Sequence, residues 1–367
     1  METDFRSILK SIDIGKVRVP NRIVLLPVNT SFGDRLGNVT DRLLRFHQTI
    51  SRGQVGLSIV GSTAVSPEGK VNYFGLALDS DRRISGFERL FHAIHEGGSI
   101  PAVQLMHAGR QTFPDVTGGT IVAPSSLTSP YFRTVPRALG IDEIHTLIGK
   151  FAKAALRAKR AGAKIVELHG AHGYLIGQFL SPLSNKRNDE YGGSLTNRTR
   201  FFCEIIKETK RQLGSDFPII CRISIDECLQ GGIKPKDSLE IAEVLTQAGA
   251  DCINITMGIY GQKGKIYPTN IQDQKIRFQT ASKIRKMLKI PIICGGRIAN
   301  LFEAERMLEA GKADLIGMAR ALIADPHLVI KSIKHSINSI VACKWCNQCT
   351  YDSRKFQRLN CAVNPFL

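Results

Sequence analysis

Eight short apolar runs, spread along most of the chain, limit what this sequence can fold into. They cover residues 22–26, 55–60, 101–105, 164–168, 218–223, 251–256, 291–294 and 313–318. Each is near-continuous rather than alternating, the pattern of parallel strands buried on both faces. Between them lie stretches with helical periodicity, among them 141–160, 196–213, 235–247, 274–288 and 301–308. Helix ends repeat weakly: Arg160-Ala-Gly-Ala-Lys-Ile-Val-Glu-Leu, Gln247-Ala-Gly-Ala-Asp-Cys-Ile-Asn-Ile and Glu309-Ala-Gly-Lys-Ala-Asp-Leu-Ile-Gly. In each a glycine stops the helix and a strand follows within a few residues. Repeated units of this kind predict an α/β protein with a parallel sheet and right-handed crossovers. Eight of them predict a closed (β/α)8 TIM barrel. No Gly-x-Gly-x-x-Gly follows any run, which counts against an open dinucleotide fold. A short hairpin within Ile12–Leu26 leads into the first strand, and a cysteine-rich tail ends the chain. The expected division is a barrel over 1–335 and the tail over 336–367.

The 367 residues and 43% apolar content support one large core. No run of eighteen apolar residues occurs, so no membrane span is expected. Met1-Glu-Thr-Asp-Phe-Arg lacks the apolar segment of a secretory signal, and a cytoplasmic location is expected. The net charge is +18, but the Lys and Arg are spread along the chain. Without a basic tail or aromatic-interleaved patch, this reads as a solvated basic surface rather than a nucleic-acid footprint. The sequence leaves the oligomeric state open, a homo-oligomer included.

In such barrels the chemistry sits at the C-terminal ends of the strands. There the chain places Pro27, Val28, Asn29 and Thr30, then Gly61 to Ala64, then Gln104, His107 and Arg110. Arg222 and Asp226 follow from the fifth strand. The loops after the seventh and eighth carry Gly295, Gly296 and Arg297, and Gly317, Ala319 and Arg320. These loops are the usual phosphate cradle of the fold, and a phosphate there accepts backbone N–H bonds and a guanidinium fork. The competing reading is that the glycines only serve tight turns.

The fourth strand ends in the densest chemistry, from Glu167 through His169, His172 and Tyr174 to Asn185. Two imidazoles three residues apart and a phenol two further on gather three proton-bearing groups. A His-x-x-His pair can also be structural or half of a metal site. No third ligand stands at zinc-like spacing nearby, so the barrel context favours catalysis.

These residues resemble the NADH:flavin oxidoreductases, the Old Yellow Enzyme family. The resemblance runs from about Ile12 to Pro326 and rests on Pro20-Asn-Arg-Ile-Val24, Thr63-Ala-Val-Ser-Pro-Glu-Gly69 and Gln104-Leu-Met-His-Ala-Gly-Arg-Gln111. It continues with Glu167-Leu-His-Gly-Ala-His-Gly-Tyr174, Phe179-Leu-Ser-Pro-Leu-Ser-Asn-Lys-Arg187, Asp189-Glu-Tyr-Gly-Gly-Ser194 and Asn197-Arg198. It implies FMN over the barrel mouth, reduced by NAD(P)H, with ping-pong reduction of the C=C bond of a small α,β-unsaturated carbonyl or enoyl substrate. Gln104 is implied at the flavin pyrimidine edge and Arg222 near its N1/O2 side. Pro27, Asn29 and Ala64 would line the ring, and Gly296, Ala319 and Arg320 would hold the phosphate. His169 and His172 would donate to the substrate oxygen, and Tyr174 would protonate the α-carbon. Three positions depart from the pattern: Asn29 stands for Thr or Cys, Val28 for Met and Ala319 for Gly.

The tail carries Cys343, Cys346, Cys349 and Cys361, spaced C-x2-C-x2-C-x11-C. It resembles the [4Fe–4S] segment of the family's iron–sulfur branch, the 2,4-dienoyl-CoA reductase-like one, which has one more residue between the second and third cysteines. Four cysteines also suit zinc, or no metal at all. Longer relatives continue into FAD- and NADH-binding domains, so an electron-donor protein is a candidate partner. The alternative functions are an FMN/iron–sulfur electron-transfer subunit and an amine-dehydrogenase-like flavoenzyme. The histidine pair speaks against the second, because it suits an oxygen anion. An RNA-directed flavoenzyme like the dihydrouridine synthases is disfavoured by the absence of an evident catalytic cysteine and RNA-binding domain.

Overall fold

The computed structural model describes residues 4–261, 265–350 and 357–366. Part of the expected tail, residues 351–356, lies outside them, as does Leu367. The chain opens with α1 (Arg6–Leu9) and an antiparallel hairpin, β1 (Ile12–Ile14) and β2 (Val17–Val19). The barrel then begins with β3 (Ile23–Leu25), α2 (Asp41–Arg52), β4 (Leu57–Ala64), the two-residue β5 (Leu76–Ala77), α3 (Ile84–Glu96) and β6 (Ile100–Met106). An excursion follows, with α4 (Pro114–Thr117) and a small pair, β7 (Val122–Ala123) and β8 (Arg137–Ala138). After it come α5 (Ile141–Arg160), β9 (Ile165–Gly170), α6 (Leu175–Leu180), α7 (Leu195–Leu213), β10 (Ile219–Ser224) and α8 (Pro235–Gln247). The chain finishes with β11 (Cys252–Thr256), α9 (Ile271–Met287), β12 (Ile292–Gly295), α10 (Leu301–Glu309), β13 (Leu315–Met318), α11 (Arg320–Ala324) and α12 (Leu328–Ile333).

Eight of these strands pair in parallel in the order β3, β13, β12, β11, β10, β9, β6 and β4, and β3 also pairs with β4. The sheet therefore closes as a (β/α)8 barrel, as the eight apolar runs predict, with β5 added beside β4. Polar caps set several helix starts: Ser194 accepts from the Asn197 amide before α7, and Asn300 from the Glu303 amide before α10. Asn270 accepts from the Asp273 amide, so α9 starts three residues ahead of the expected 274.

The barrel interior is layered. Val24, Leu57, Ile59, Ala102, Ile165, Ile220, Cys252, Ile293 and Leu315 form a dry lower plug, and Ile14 and Val19 of the hairpin pack against it. The hairpin thus closes the floor. Above the plug the same strands change character. Gln104 stands in register with Glu167, and Arg222 with His169 and Asn254. All five are buried and polar, so the strands turn from core to site within about two residues. Beyond α12 the tail packs back on the barrel, through Leu359 N–H to Thr30 O at 2.8 Å and Asn364 Nδ2 to Ile323 O at 2.8 Å.

Candidate active site

One large cavity, with about 1310 Å³ of empty space, opens at the C-terminal ends of the strands. Pro27, Asn29, Gln104, His169, His172, Tyr174, Arg222, Gly295, Gly296, Arg297, Ala319 and Arg320 all line it. Ala64 is buried in β4 and is not among the lining residues, whereas Ser62 is. An irregularity in the β4–β6 register between Val60 and Thr63 adds a residue there, which strand alternation alone does not anticipate.

His169 is the penultimate residue of β9, and His172 follows at φ 59°, a conformation held by its N–H donating to Ser224 Oγ at 3.1 Å. The two imidazoles meet edge to face at 5.0 Å, and His169 lies 5.1 Å from the Tyr174 ring. Burial, then the Arg222 charge, holds both imidazoles well below the usual histidine range, so both are neutral at pH 7. His172 Nε2 meets Thr256 Oγ1 at 2.9 Å, and Arg277 donates to that same hydroxyl oxygen at 3.5 Å. The Thr256 hydroxyl can accept from Arg277 and still either accept from or donate to Nε2, so the direction of that bond follows the imidazole tautomer. His169 Nδ1 is buried with no partner among the described residues. Burial also raises the Tyr174 phenol, whose hydroxyl donates to Tyr260 at 2.9 Å.

On one side of the cavity Arg222 is buried, with its Nε unpartnered among the described residues. On the other, Gly296 adopts φ 131° and Gly295 packs against the Gly317 backbone. Arg320 donates to Asn347 Oδ1 at 2.7 Å and to Pro268 O at 2.8 Å. Arg320 and Arg297 lie 4.7 and 5.2 Å from the Trp345 ring centre. An orphaned guanidinium nitrogen, a cradle without side chains and two arginines fit a ligand with a polar heterocycle and a phosphate.

Tyr131 and Phe132 of the excursion join Tyr174 and Tyr260 in a run of rings with neighbouring centres 5.0 to 5.9 Å apart. The sequence reading misses Tyr260, Tyr267, Arg277 and Trp345, which also line the cavity. Tyr260 follows β11 closely, so the strand-end rule could have found it.

Cys343, Cys346, Cys349 and Cys361 line a second, smaller cavity of about 290 Å³ together with Arg320. Cys349 and Arg320 line the large cavity as well. Cys343 Sγ accepts from the Trp345 N–H at 3.4 Å. Among the described residues no three His, Cys, Asp or Glu side chains converge to hold a single metal ion. No described helix is long and apolar enough to cross a membrane.

A family model described as NADH:flavin oxidoreductase / NADH oxidase matches residues 7–339. The chain is 40% identical to a protein named NADH oxidase from Thermoanaerobacter brockii, over 99% of this chain and 56% of that one. It is 38% identical to an NADPH dehydrogenase from Halalkalibacterium halodurans, over 85% of this chain and 89% of that one. Among solved structures, 2-naphthoyl-CoA reductase in complex with 2-naphthoyl-CoA superposes with a TM-score of 0.92 at 30% identity, covering 98% of this chain and 57% of that one. The chain thus spans about half the length of the NADH oxidase and of this reductase.

Proposed function

The chain belongs to the NADH:flavin oxidoreductase / NADH oxidase family, and from that premise we propose that it is an FMN-dependent ene-reductase. It reduces the C=C bond of an α,β-unsaturated carbonyl or enoyl substrate with electrons from NADH or NADPH. The observation that carries this reading is the pair of neutral imidazoles, 5.0 Å apart, beside a buried phenol. FMN, when bound, supplies the redox chemistry.

The chain's own residues do the rest. His169 and His172 each offer an imidazole N–H to the substrate oxygen. Neutral donors stabilise the enolate charge as it develops without forming a full ion pair in the ground state. Tyr174 holds the proton destined for the α-carbon. Arg222 and Gln104 would hold the cofactor's pyrimidine side. Gly295, Gly296, Arg297, Ala319 and Arg320 would hold its phosphate, with Pro27 and Asn29 against the ring. The rings of Tyr131, Phe132 and Tyr260 offer flat apolar walls to a planar conjugated acyl group.

The barrel over 1–335 would bind FMN, and the tail over 336–367 would form a [4Fe–4S] segment. Four thiols around one cavity beside a guanidinium support this, since each cysteine of such a cluster binds a different iron. The sharing of Cys349 and Arg320 between the two cavities favours a second reading, in which an electron-donor protein reduces the site through the tail.

The test is the double variant His169→Ala/His172→Ala. Enone reduction should fall by roughly 100- to 1000-fold with FMN content unchanged; undiminished turnover would sink the assignment. Iron content and the response of the absorbance spectrum to NADPH, without oxygen, separate the two electron routes.

A further inference from the structure

Glu167 is fully buried in the barrel, at the level where the apolar plug gives way to the site. Its two oxygens are each claimed by an amide: Gln104 Nε2 donates to Oε1 at 2.6 Å, and Asn254 Nδ2 to Oε2 at 2.5 Å. Burial raises this carboxyl above the usual range, while the Arg222 charge and the two amide hydrogen bonds favour its ionised form. Of these groups, Gln104 and Arg222 line the large cavity. Asn254 does not, and its Oδ1 has no partner among the described residues.

We propose that Glu167 is a positioning residue for the cofactor: its carboxylate fixes which end of the Gln104 amide faces the cavity and offsets the Arg222 charge at the cavity wall. The inference rests on the FMN reading above. An ionised carboxylate only accepts, so it takes the NH2 end of Gln104. The carbonyl end is then the one available to the ligand, and Gln104 recognises a donor. A neutral partner in place of Glu167 leaves the amide free to turn. The same carboxylate places a negative charge near the site in a medium of low dielectric, where it would disfavour added electrons on a bound cofactor. Arg222 favours them. The balance of the two therefore sets how readily the bound cofactor is reduced.

Glu167→Gln keeps the shape and removes the charge. Asn254 can turn its unpartnered oxygen toward the new amide, so the layer stays hydrogen-bonded. The measurements are the dissociation constant of oxidised FMN, by flavin fluorescence, and the midpoint potential of the bound cofactor. The affinity for oxidised FMN should fall about tenfold more than that for the reduced form, which is a positive shift of about 30 mV for a two-electron couple. Glu167→Asp keeps the charge but shortens the reach; it should weaken FMN binding and leave the potential at the wild-type value. A Glu167→Gln protein that binds FMN at an unchanged potential overturns the proposal. If that variant holds no FMN, Glu167→Asp decides: unchanged affinity, or a potential moved from wild type, overturns it. A wild-type chain that takes up no FMN refutes the parent reading instead.

Discussion

The hydroxyl of Tyr174, buried at 3% exposure, donates a 2.9 Å hydrogen bond to the hydroxyl of Tyr260, which is only half-buried. The phenol assigned as proton donor is thus oriented by a residue from the loop after β11. Tyr174→Phe should slow enone reduction by roughly 100- to 10,000-fold, the usual worth of a positioned general acid, while NAD(P)H oxidation keeps its rate. Tyr260→Phe removes the acceptor alone and should cost about 1 kcal/mol, roughly fivefold, in the same step. Rapid-mixing kinetics of the two half-reactions separates them. If Tyr174→Phe slows both halves equally, the phenol is not the proton donor.

Acid should destabilise this protein well above the carboxylate range. Burial holds the His47 imidazole at about 3 and that of His107 at about 4, the latter against the pull of Glu68. His169 and His172 are also lowered. The unfolded chain takes up these protons near pH 6.5, before the folded chain does. Stability is therefore present above pH 6.5 and is lost as pH falls toward 4. Burial raises Glu167 and Glu227, which work the other way, since the folded chain protonates first there. Four imidazoles against two carboxyls leave a net loss, limited to about 1.4 kcal/mol per pH unit for each histidine. The urea midpoint should be lower at pH 5.5 than at pH 7.5, and an equal or higher midpoint would refute the balance.

The barrel was legible because all eight strands are buried on both faces, which writes them as solid apolar runs. Gly295, His169 and Arg222 were legible because the fold puts chemistry at the C-terminal ends of those runs. Tyr260 and Trp345 were not, because their roles come from contacts across long stretches of chain. Tyr260 meets Tyr174 from 86 positions away, and its place shortly after β11 is the one local signal it carries. Trp345 reads as a spacer between two cysteines until the fold sets it against Arg297 and Arg320. The second strand end was legible only in part: Gly61 to Ala64 were singled out, but an extra residue in β4 brings Ser62 rather than Ala64 to the cavity.

Trp345 ties the tail to the phosphate cradle. Its ring stands 4.7 Å from the Arg320 guanidinium carbon, and Asn347 accepts from the same arginine. Trp345→Ala should free the guanidinium and weaken FMN binding by about 1 kcal/mol, roughly fivefold. Trp345→Phe keeps a π-face and should bind nearly as well as wild type. Fluorescence titration of FMN measures both. Equal affinity in the alanine variant would separate the tail from the cofactor site.

Two glycines with opposite surroundings test the packing. A Cβ on Gly295 would stand 2.2 Å from Gly317 O, where β12 and β13 pair at the barrel mouth. Backbone cannot yield there without opening the strand pair, so Gly295→Ala should cost about 3 kcal/mol or more. Gly149, in the middle of α5, has nothing within 4 Å of its added Cβ. Gly149→Ala should stabilise by about 0.5–1 kcal/mol, through helix propensity alone. Urea denaturation of the two variants reads both signs. A Gly295→Ala protein as stable as wild type would mean that the strand ends are further apart than described, and the cradle would then be too open to grip a phosphate.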